Sequence, residues 1–278
     1  IMDFSKDKKE FDNFINVYQI LKKINISIPA IYEVHWNKKI VVTQDLGDNS
    51  FDKLFHNYDL YYLLKLAVDN LIIIQNTVMY EDLFKLKKYS LVEQKKELSE
   101  FIDYYVPHQK IQNFPIDEFY YCWEKIYGEN KFEFSSFVHK DFEFVNLFFL
   151  KQNSLHFKCG IIDFQSAFLG FVGWDLFSIL ENPRINFTRK YNEFLIKYFY
   201  ENIEPKININ FLNFRNQYYL LNLGRLTRLM GRWVKLFNES KNLIFLNYLK
   251  TTENRVLHCL ENIKIKKLTK IYRDVLIK

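Results

Sequence analysis

Three polar side chains have types and spacings that could do chemistry together. Asp141 and Asn146 lie five positions apart in the apolar stretch FVHKDFEFVNLFFL (137–150), and Asp163 stands near the end of a second apolar run, KCGIIDF (158–164). Buried strands rarely carry such polarity, because an unpaired buried charge is strongly unfavourable. The polar residues in these runs are therefore candidates for function.

A hairpin would bring the two runs together. If 147–150 pairs with 158–162 across a polar turn at 152–154, Asn146 and Asp163 meet at the open end of the hairpin. Carboxylate and carboxamide oxygens are hard ligands of the kind that Mg²⁺ shares with phosphate groups. The spacing therefore predicts a Mg²⁺–phosphate site at this end.

The pattern H-x-D-x-x-x-x-N, followed by an apolar strand that ends in D-F, is the catalytic-loop and metal-loop pair of kinases. In that arrangement Asp141 accepts the proton of the attacking hydroxyl, and Asn146 and Asp163 hold the metal ions. His139 then holds the shape of the loop and does no chemistry itself.

Each of these residues taken singly also has a structural explanation. Asp163 could be a turn residue, and Asn146 could cap the end of a strand. Asp175, at the start of GWDLFSIL (173–180), could be an N-terminal helix charge or could brace the catalytic loop. The ordered combination favours the site over chance.

A turn at VVTQDLGD (41–48) follows a predicted strand. In a kinase this is where the hinge between the lobes receives adenine through its backbone. The segment predicts a nucleotide hinge at four residues: Gln44, Asp45, Leu46 and Gly47.

The elements that must position these residues change in character along the chain. Residues 8–23 have helical apolar spacing, and 30–44 predict two strands around a polar turn. Helical patterns follow at 58–79, 90–106, 116–127, 175–181, 188–203, 211–237 and 241–264. The sequence predicts an α+β fold with a small sheet-plus-helix lobe over 1–47 and a larger, mainly helical lobe over 48–278.

Composition sets broad limits. The chain has 278 residues and a net charge of +6, which suits an anionic ligand such as a nucleotide without identifying one. The three cysteines, Cys122, Cys159 and Cys259, are far apart and odd in number, which argues against a disulfide framework or zinc site and for a reducing compartment.

Few features point to a macromolecular partner. The basic run KIKKLTK (264–270) is more typical of a solvated helix face than of a nucleic-acid site. No signal peptide and no apolar run of membrane-spanning length are visible, so we expect a cytoplasmic protein without a membrane or nucleic-acid partner. The sequence does not indicate an oligomeric state.

These residues resemble the aminoglycoside/choline phosphotransferase superfamily, whose fold is protein-kinase-like and two-lobed. VVTQDLGDNSF is similar to a hinge LLLEDLGD, and IIDFQSAFLGFVGWDLFSIL is similar to LDFQDAxxGPxxYDLxSLL, which is the most specific match. The closer resemblance is to bacterial kinases that phosphorylate N-acetylmuramate and N-acetylglucosamine at C1 in cell-wall recycling.

The resemblance implies an ATP- and Mg²⁺-dependent kinase with Asp141 as base and Asn146 and Asp163 as metal ligands. The resemblance also suggests four candidate contacts to the acceptor: Glu143, Asp103, Gln165 and Arg225. Arg225 could equally belong, with Arg228 and Arg232, to a basic helix stripe.

The chain also departs from the family pattern. Gln19 falls near the position where protein kinases place a glutamate, and Lys140 stands where an arginine is common. The chain starts with Ile1, and the nucleotide-covering hairpin is expected upstream of it, so we expect a processed chain or a fragment.

Three functions follow from the sequence. The first is transfer of the γ-phosphoryl group of ATP to the anomeric hydroxyl of an N-acetylated amino sugar. The second is a choline- or aminoglycoside-type acceptor, for which Asp103, Tyr104, Tyr105 and Trp174 could form an acidic, aromatic cage. The third is a catalytically weak, kinase-like binding protein, suggested by Gln19 and the absent hairpin.

Overall fold

The computed structural model describes residues 1–150, 159–203 and 208–276. The chain divides into two compact units. The first consists of Ile1–Lys88, Glu133–Leu180 and Thr188–Asn208, and the second of Tyr89–Phe132, Glu181–Phe187 and Ile209–Lys278. The predicted boundary between a lobe at 1–47 and a lobe at 48–278 stays a prediction.

The described residues form a mixture of short strands and longer helices. The strands are β1 (Met2–Asp3), β2 (Ile31–His35), β3 (Ile40–Thr43), β4 (Ser136–Val138), β5 (Leu147–Phe149), β6 (Cys159–Ile161) and β7 (Phe168–Gly170). The α-helices are α1 (Lys8–Leu21), α2 (Phe51–Leu54), α3 (Leu60–Thr77), α4 (Tyr80–Leu83), α5 (Leu91–Glu100), α6 (Val106–His108), α7 (Ile116–Glu129), α8 (Trp174–Leu180), α9 (Asn192–Asn202), α10 (Phe211–Ser240), α11 (Ile244–Asn262) and α12 (Lys266–Leu276).

The first unit opens with an antiparallel sheet in the order β1-β3-β2. The predicted hairpin over 30–44 is confirmed, with Val34 opposite Val41 and His35 opposite Ile40. Helix α1 begins where the Asp7 side chain accepts a hydrogen bond from the backbone N–H of Glu10 at 3.0 Å. Its apolar stripe is buried, as its helical spacing predicts.

Two further antiparallel pairs carry the residues of chemical interest. Strands β5 and β6 pair with Leu147 opposite Ile161, which confirms the predicted hairpin. The predicted turn at 152–154 lies outside the described residues. Strands β4 and β7 also pair, with Val138 opposite Phe168.

Helix α3 supports these strands from within the first unit. Its sequence is apolar on more than one face, and Leu63, Leu64, Ala67 and Val68 are fully buried. The side-chain amide of Gln75 donates to the carbonyl of Phe137 at 2.9 Å, which ties α3 to β4. The predicted helix at 58–79 is thus confirmed.

The second unit is built around the 30-residue helix α10, which packs against α5 and α11. The predicted helix at 90–106 is not one regular helix, because α5 passes into a π-helical turn at Phe101–Tyr105 before α6. Gly231 lies so close to the backbone of Glu100 that an added Cβ would stand 2.0 Å from its carbonyl oxygen. This approach occurs where the helical hydrogen-bonding pattern changes.

The sequence patterns predicted only a solvated helix face at 264–270 and missed the buried face of α12, which consists of Leu268, Ile271, Tyr272 and Val275. Within residues 1–150, 159–203 and 208–276, no helix combines the length and apolar character needed to cross a bilayer.

Candidate active site

Asn146 and Asp163 meet at the open end of the β5–β6 hairpin, as their spacing predicts. Nδ2 of Asn146 lies 3.5 Å from Oδ2 of Asp163. The same nitrogen donates to the backbone carbonyl of Asp141 at 2.8 Å. A carbonyl oxygen can only accept, so the NH₂ group must face it, and the carboxamide oxygen of Asn146 remains the atom able to bind a cation.

The backbone at Asp163 is left-handed, with φ at 65°. Aspartate tolerates this region better than most residues, although the conformation is uncommon outside glycine. The carboxylate is held from the other side by Gln165, whose Nε2 donates to Oδ1 at 2.7 Å. Asp163 is therefore fixed by its own turn and by a neighbouring side chain.

The loop that leads to Asp141 is held by Asp175 at the start of α8. Asp175 is buried, and its carboxylate accepts from the backbone N–H groups of His139 at 2.7 Å and Lys140 at 3.0 Å. Lys140 also has a left-handed backbone, with φ at 79°. The carboxylate thus stabilises a strained loop immediately before Asp141, which is itself partly exposed.

His139 links this loop to the strand that precedes Asp163. Its Nε2 lies 3.0 Å from the carbonyl oxygen of Ile162, so Nε2 must carry the proton. Nδ1 is buried and has no hydrogen-bond partner among the described residues. Burial lowers the pKa of His139, and the nearby carboxylates of Asp141 and Asp163 oppose this shift only in part. The imidazole is therefore neutral near pH 7.

The predicted hinge and the metal-loop residues line one cavity of about 400 Å³ in the first unit. Gln44, Asp45 and Leu46 contribute to one wall, and Asn146 and Asp163 contribute to another. The remaining lining residues are mainly apolar: Met2, Phe14, Pro29, Thr43, Phe148, Ile162 and Phe164. Gly47 and Asp141 are outside this set of described lining residues.

The backbone of the predicted hinge is ordered by local hydrogen bonds. The backbone N–H of Gln44 donates to Ala30 at 2.8 Å, and that of Gly47 donates to Oδ1 of Asp45 at 2.8 Å. Gly47 has φ at 84°, where a side chain would strain the turn. Glycine therefore lets the chain turn sharply at the end of the predicted hinge.

The candidate acceptor contacts fall in different places. Glu143 is buried beside the loop, and Gln165 contacts Asp163. Asp103 and Arg225 belong to the second unit: Asp103 is exposed on the π-helical turn, and Arg225 is buried on α10. The acceptor role of all four residues stays a prediction.

Two aromatic members of the alternative acidic, aromatic cage are buried. The hydroxyl of Tyr105 donates to Glu253 at 2.6 Å within the second unit. Trp174 packs edge-on against Phe168 in the first unit, with ring centroids 5.1 Å apart. Neither ring offers an open face, so the cage as proposed from these residues is weakened.

Sequence patterns missed the contribution of α1 to the site. Phe164 stacks on Phe14 with ring centroids 5.1 Å apart, and both rings line the cavity. Nδ2 of Asn13 donates to the backbone carbonyl of Gln165. The apolar stripe of α1 marks Phe14 as buried, but it does not reveal which distant residue it contacts.

The donor set fits a hard cation such as Mg²⁺. One carboxylate and one carboxamide oxygen are compatible with a Mg²⁺ site that phosphate and water oxygens complete. In the part of the chain that the structure describes, no group of three or more His, Cys, Asp or Glu side chains could hold a metal ion by itself. Water and phosphate oxygens would complete the coordination of a Mg²⁺ ion held by Asn146 and Asp163.

Comparisons with known proteins identify a family and a fold for the chain. Residues 2–204 match the family model described as "Phosphotransferase enzyme family". No curated protein matches the chain.

Solved structures of similar fold come from aminoglycoside phosphotransferases. ADP-bound APH(2'')-Ib has a TM-score of 0.54 and 14% identity, over 95% of this chain and 83% of that one. The gentamicin complex of APH(2")-IIa has a TM-score of 0.56 and 12% identity, over 94% and 82%. The streptomycin–ATP complex of APH(2")-IIa has a TM-score of 0.52 and 13% identity, over 86% and 78%. The predicted fold is thereby confirmed.

Proposed function

Because the chain belongs to the phosphotransferase enzyme family, we propose that it is an ATP- and Mg²⁺-dependent kinase that phosphorylates a hydroxyl group of a small molecule. The observation that carries this proposal is the shared cavity, in which the hinge residues Gln44–Leu46 and the pair Asn146 and Asp163 line one space. The family membership agrees with the superfamily expected from the sequence.

In this proposal the hinge binds the adenine ring through its backbone. The apolar side chains of Phe14, Phe148 and Phe164 line the same cavity and exclude water from the base. Phosphate groups would lie toward Asn146 and Asp163. Mg²⁺ bound there would neutralise charge on the transferred phosphoryl group.

Asp141 is the proposed general base, because it comes directly after His139 and Lys140, whose backbone N–H groups Asp175 holds in place. It would accept the proton of the acceptor hydroxyl as that oxygen attacks the γ-phosphorus, while the bond to the β,γ-bridging oxygen breaks and ADP leaves. His139, neutral and hydrogen-bonded to Ile162, would keep the loop in position. Catalysis then rests on positioning and electrostatics.

We propose the anomeric hydroxyl of an N-acetylated amino sugar as the acceptor. This narrower proposal rests on the similarity of IIDFQSAFLGFVGWDLFSIL to the sugar-kinase segment. An aminoglycoside is the second candidate, because the structurally similar APH(2")-IIa is described in complex with gentamicin and streptomycin.

The test is an acceptor screen with ATP and Mg²⁺, in which N-acetylglucosamine, N-acetylmuramate, choline and gentamicin compete in one ATP-consumption assay. We expect turnover with an N-acetylated sugar. A product phosphorylated elsewhere than at C1, or turnover only with an amine, would refute the acceptor assignment while leaving the kinase assignment intact.

Asp141→Asn tests the base. We expect turnover to fall by roughly 10²–10⁴-fold, the contribution typical of a positioned base, with the melting temperature unchanged. Asp274→Asn, on the exposed face of α12, is the matched control. Parental turnover of Asp141→Asn would refute the assignment of the base.

A further inference from the structure

Gln165 has the geometry of a support for Asp163. Its Nε2 donates to Oδ1 of Asp163 at 2.7 Å, while Oδ2 of the same carboxylate faces Asn146. A hydrogen bond to one carboxylate oxygen fixes the rotation of the group and thus the direction of the other oxygen. A cation bound between Asn146 and Asp163 would therefore meet an oriented ligand.

The amide oxygen of Gln165 is in an unfavourable position for the stability of the folded chain. Since Nε2 faces Asp163, Oε1 must point elsewhere, and it is buried without a hydrogen-bond partner among the described residues. A buried acceptor without a partner destabilises the folded chain, because it has lost its hydrogen bonds to water. Such unsatisfied groups in a native structure call for an explanation, and function is a common one.

Helix α1 holds the turn that carries Gln165. Asn13 donates its side-chain N–H to the backbone carbonyl of Gln165. One residue away on each side, Phe14 stacks on Phe164 at 5.1 Å, with the ring planes 15° apart. The turn is thus attached to α1 by one polar contact and one aromatic contact. Gln165, in the same turn, makes the contact to Asp163.

We propose that Asn13, Gln165 and Asp163 form a relay in which α1 orients a metal-binding carboxylate, so that Gln165 is a positioning residue and does not contact the acceptor. This inference rests on the proposed function, because it assumes that Asp163 binds the nucleotide's metal ion. It assigns to Gln165 a role different from the sugar contact expected from the sequence.

The experiment measures Mn²⁺ binding to the chain in the presence of ADP, with free Mn²⁺ quantified by electron paramagnetic resonance and no turnover required. Gln165→Met keeps the length of the side chain and removes the donor. Outer-shell partners of metal ligands typically contribute about 10–100-fold in affinity, so we expect the Kd for Mn²⁺ to rise about 10-fold. Asn13→Leu is expected to raise the Kd for Mn²⁺ by a smaller factor. In the double variant, the change in binding free energy should be smaller than the sum of the two single changes, because both residues act through the same carboxylate.

A matched control separates positioning from general loss of structure. Asn70→Leu removes a side-chain hydrogen bond to the carbonyl of Leu66 in α3, away from the cavity. We expect it to leave the Kd for Mn²⁺ unchanged. A high Mg²⁺ concentration is expected to restore the turnover of Gln165→Met. Turnover lost through misfolding would not be restored in this way. Gln165→Asn, too short to reach Asp163, replaces Gln165→Met if that variant does not fold.

The outcomes are distinguishable. If the parent binds Mn²⁺ with ADP and the folded Gln165 variant stays within twofold of its Kd, the relay is wrong and the proposed function stands. If the parent itself binds no Mn²⁺ with ADP, the metal role of Asp163 fails and the relay fails with it.

Discussion

Oδ2 of Asp175 accepts a 2.7 Å hydrogen bond from the backbone N–H of His139, which lies 36 residues earlier in the chain. The second oxygen of the same carboxylate accepts from Lys140, the residue that adopts a left-handed backbone immediately before Asp141. One buried side chain at a helix start thus supports the loop that carries the proposed base.

Asp175→Ala should damage both folding and turnover. The substitution leaves the buried N–H of His139 and the N–H of Lys140 without the carboxylate, and an unsatisfied buried donor costs about 1–3 kcal/mol. We expect the free energy of unfolding to fall by about 2–4 kcal/mol, measured by urea denaturation. Ser178→Ala, in the same helix, removes only a bond to the carbonyl of Trp174 and is the control. Equal losses in the two variants would contradict the special role of Asp175.

Asp163→Asn should weaken metal binding without unfolding the chain. The amide has nearly the same shape as the carboxylate but lacks its charge, which is the main attraction for a divalent cation. Changing a residue that supports a metal ligand typically lowers metal affinity about 10–100-fold. We therefore expect the half-saturating Mg²⁺ concentration to rise at least about 10-fold. Turnover measured as a function of free Mg²⁺ gives this concentration. Asp12→Asn, exposed on α1, should behave as the parent. An unchanged Mg²⁺ dependence of Asp163→Asn would exclude the residue as a ligand.

His139 should make stability depend on pH below neutrality. Burial lowers its pKa in the folded chain, whereas the unfolded chain titrates near the ordinary value of about 6.5. As pH falls below about 6.5, the unfolded state takes up a proton that the folded state does not, so stability decreases as pH decreases. His139→Gln keeps a donor toward Ile162 but does not titrate, and it should reduce the slope of unfolding free energy between pH 7 and 5. A slope identical to that of the parent would show that His139 contributes nothing to it.

Gly231→Ala should be far more harmful than Gly224→Ala, although both glycines lie in α10. A Cβ at position 231 would stand 2.0 Å from the backbone oxygen of Glu100, which cannot move without shifting the π-helical turn. At position 224 the nearest atom, at 2.6 Å, is the side-chain nitrogen of Gln94, which is able to rotate away.

We expect Gly231→Ala to lower the free energy of unfolding by at least about 2–3 kcal/mol, since inserting atoms into a packed contact typically costs about 1–3 kcal/mol. Gly224→Ala gains roughly 1 kcal/mol of helix propensity, which offsets part of its clash. Thermal and urea unfolding of both variants would measure the difference. Similar losses would mean that the backbone approach at Glu100 relaxes easily.

Most of the correct predictions from the sequence rest on local signals. Apolar patterns predicted α1, α3 and α10, and apolar runs around polar turns predicted the β2–β3 and β5–β6 pairs, because such patterns report which parts of an element are buried. The sequence also predicted that Asn146 and Asp163 lie close together, because pairing the two apolar runs as a hairpin places both residues at its open end. It did not predict the π-helical turn, beside which the backbone of Glu100 closely approaches Gly231.

Residue types and spacing by themselves determined the α+β class, the short list of candidate site residues and the family to which they point. Only the tertiary structure decided that Gln165 contacts Asp163, that Asn13 contacts Gln165 and that Asp175 holds the loop before Asp141. The physical reason is that a hydrogen bond between distant residues leaves no periodic trace in the chain. It exists only after packing has brought the donor and the acceptor within about 3 Å of each other.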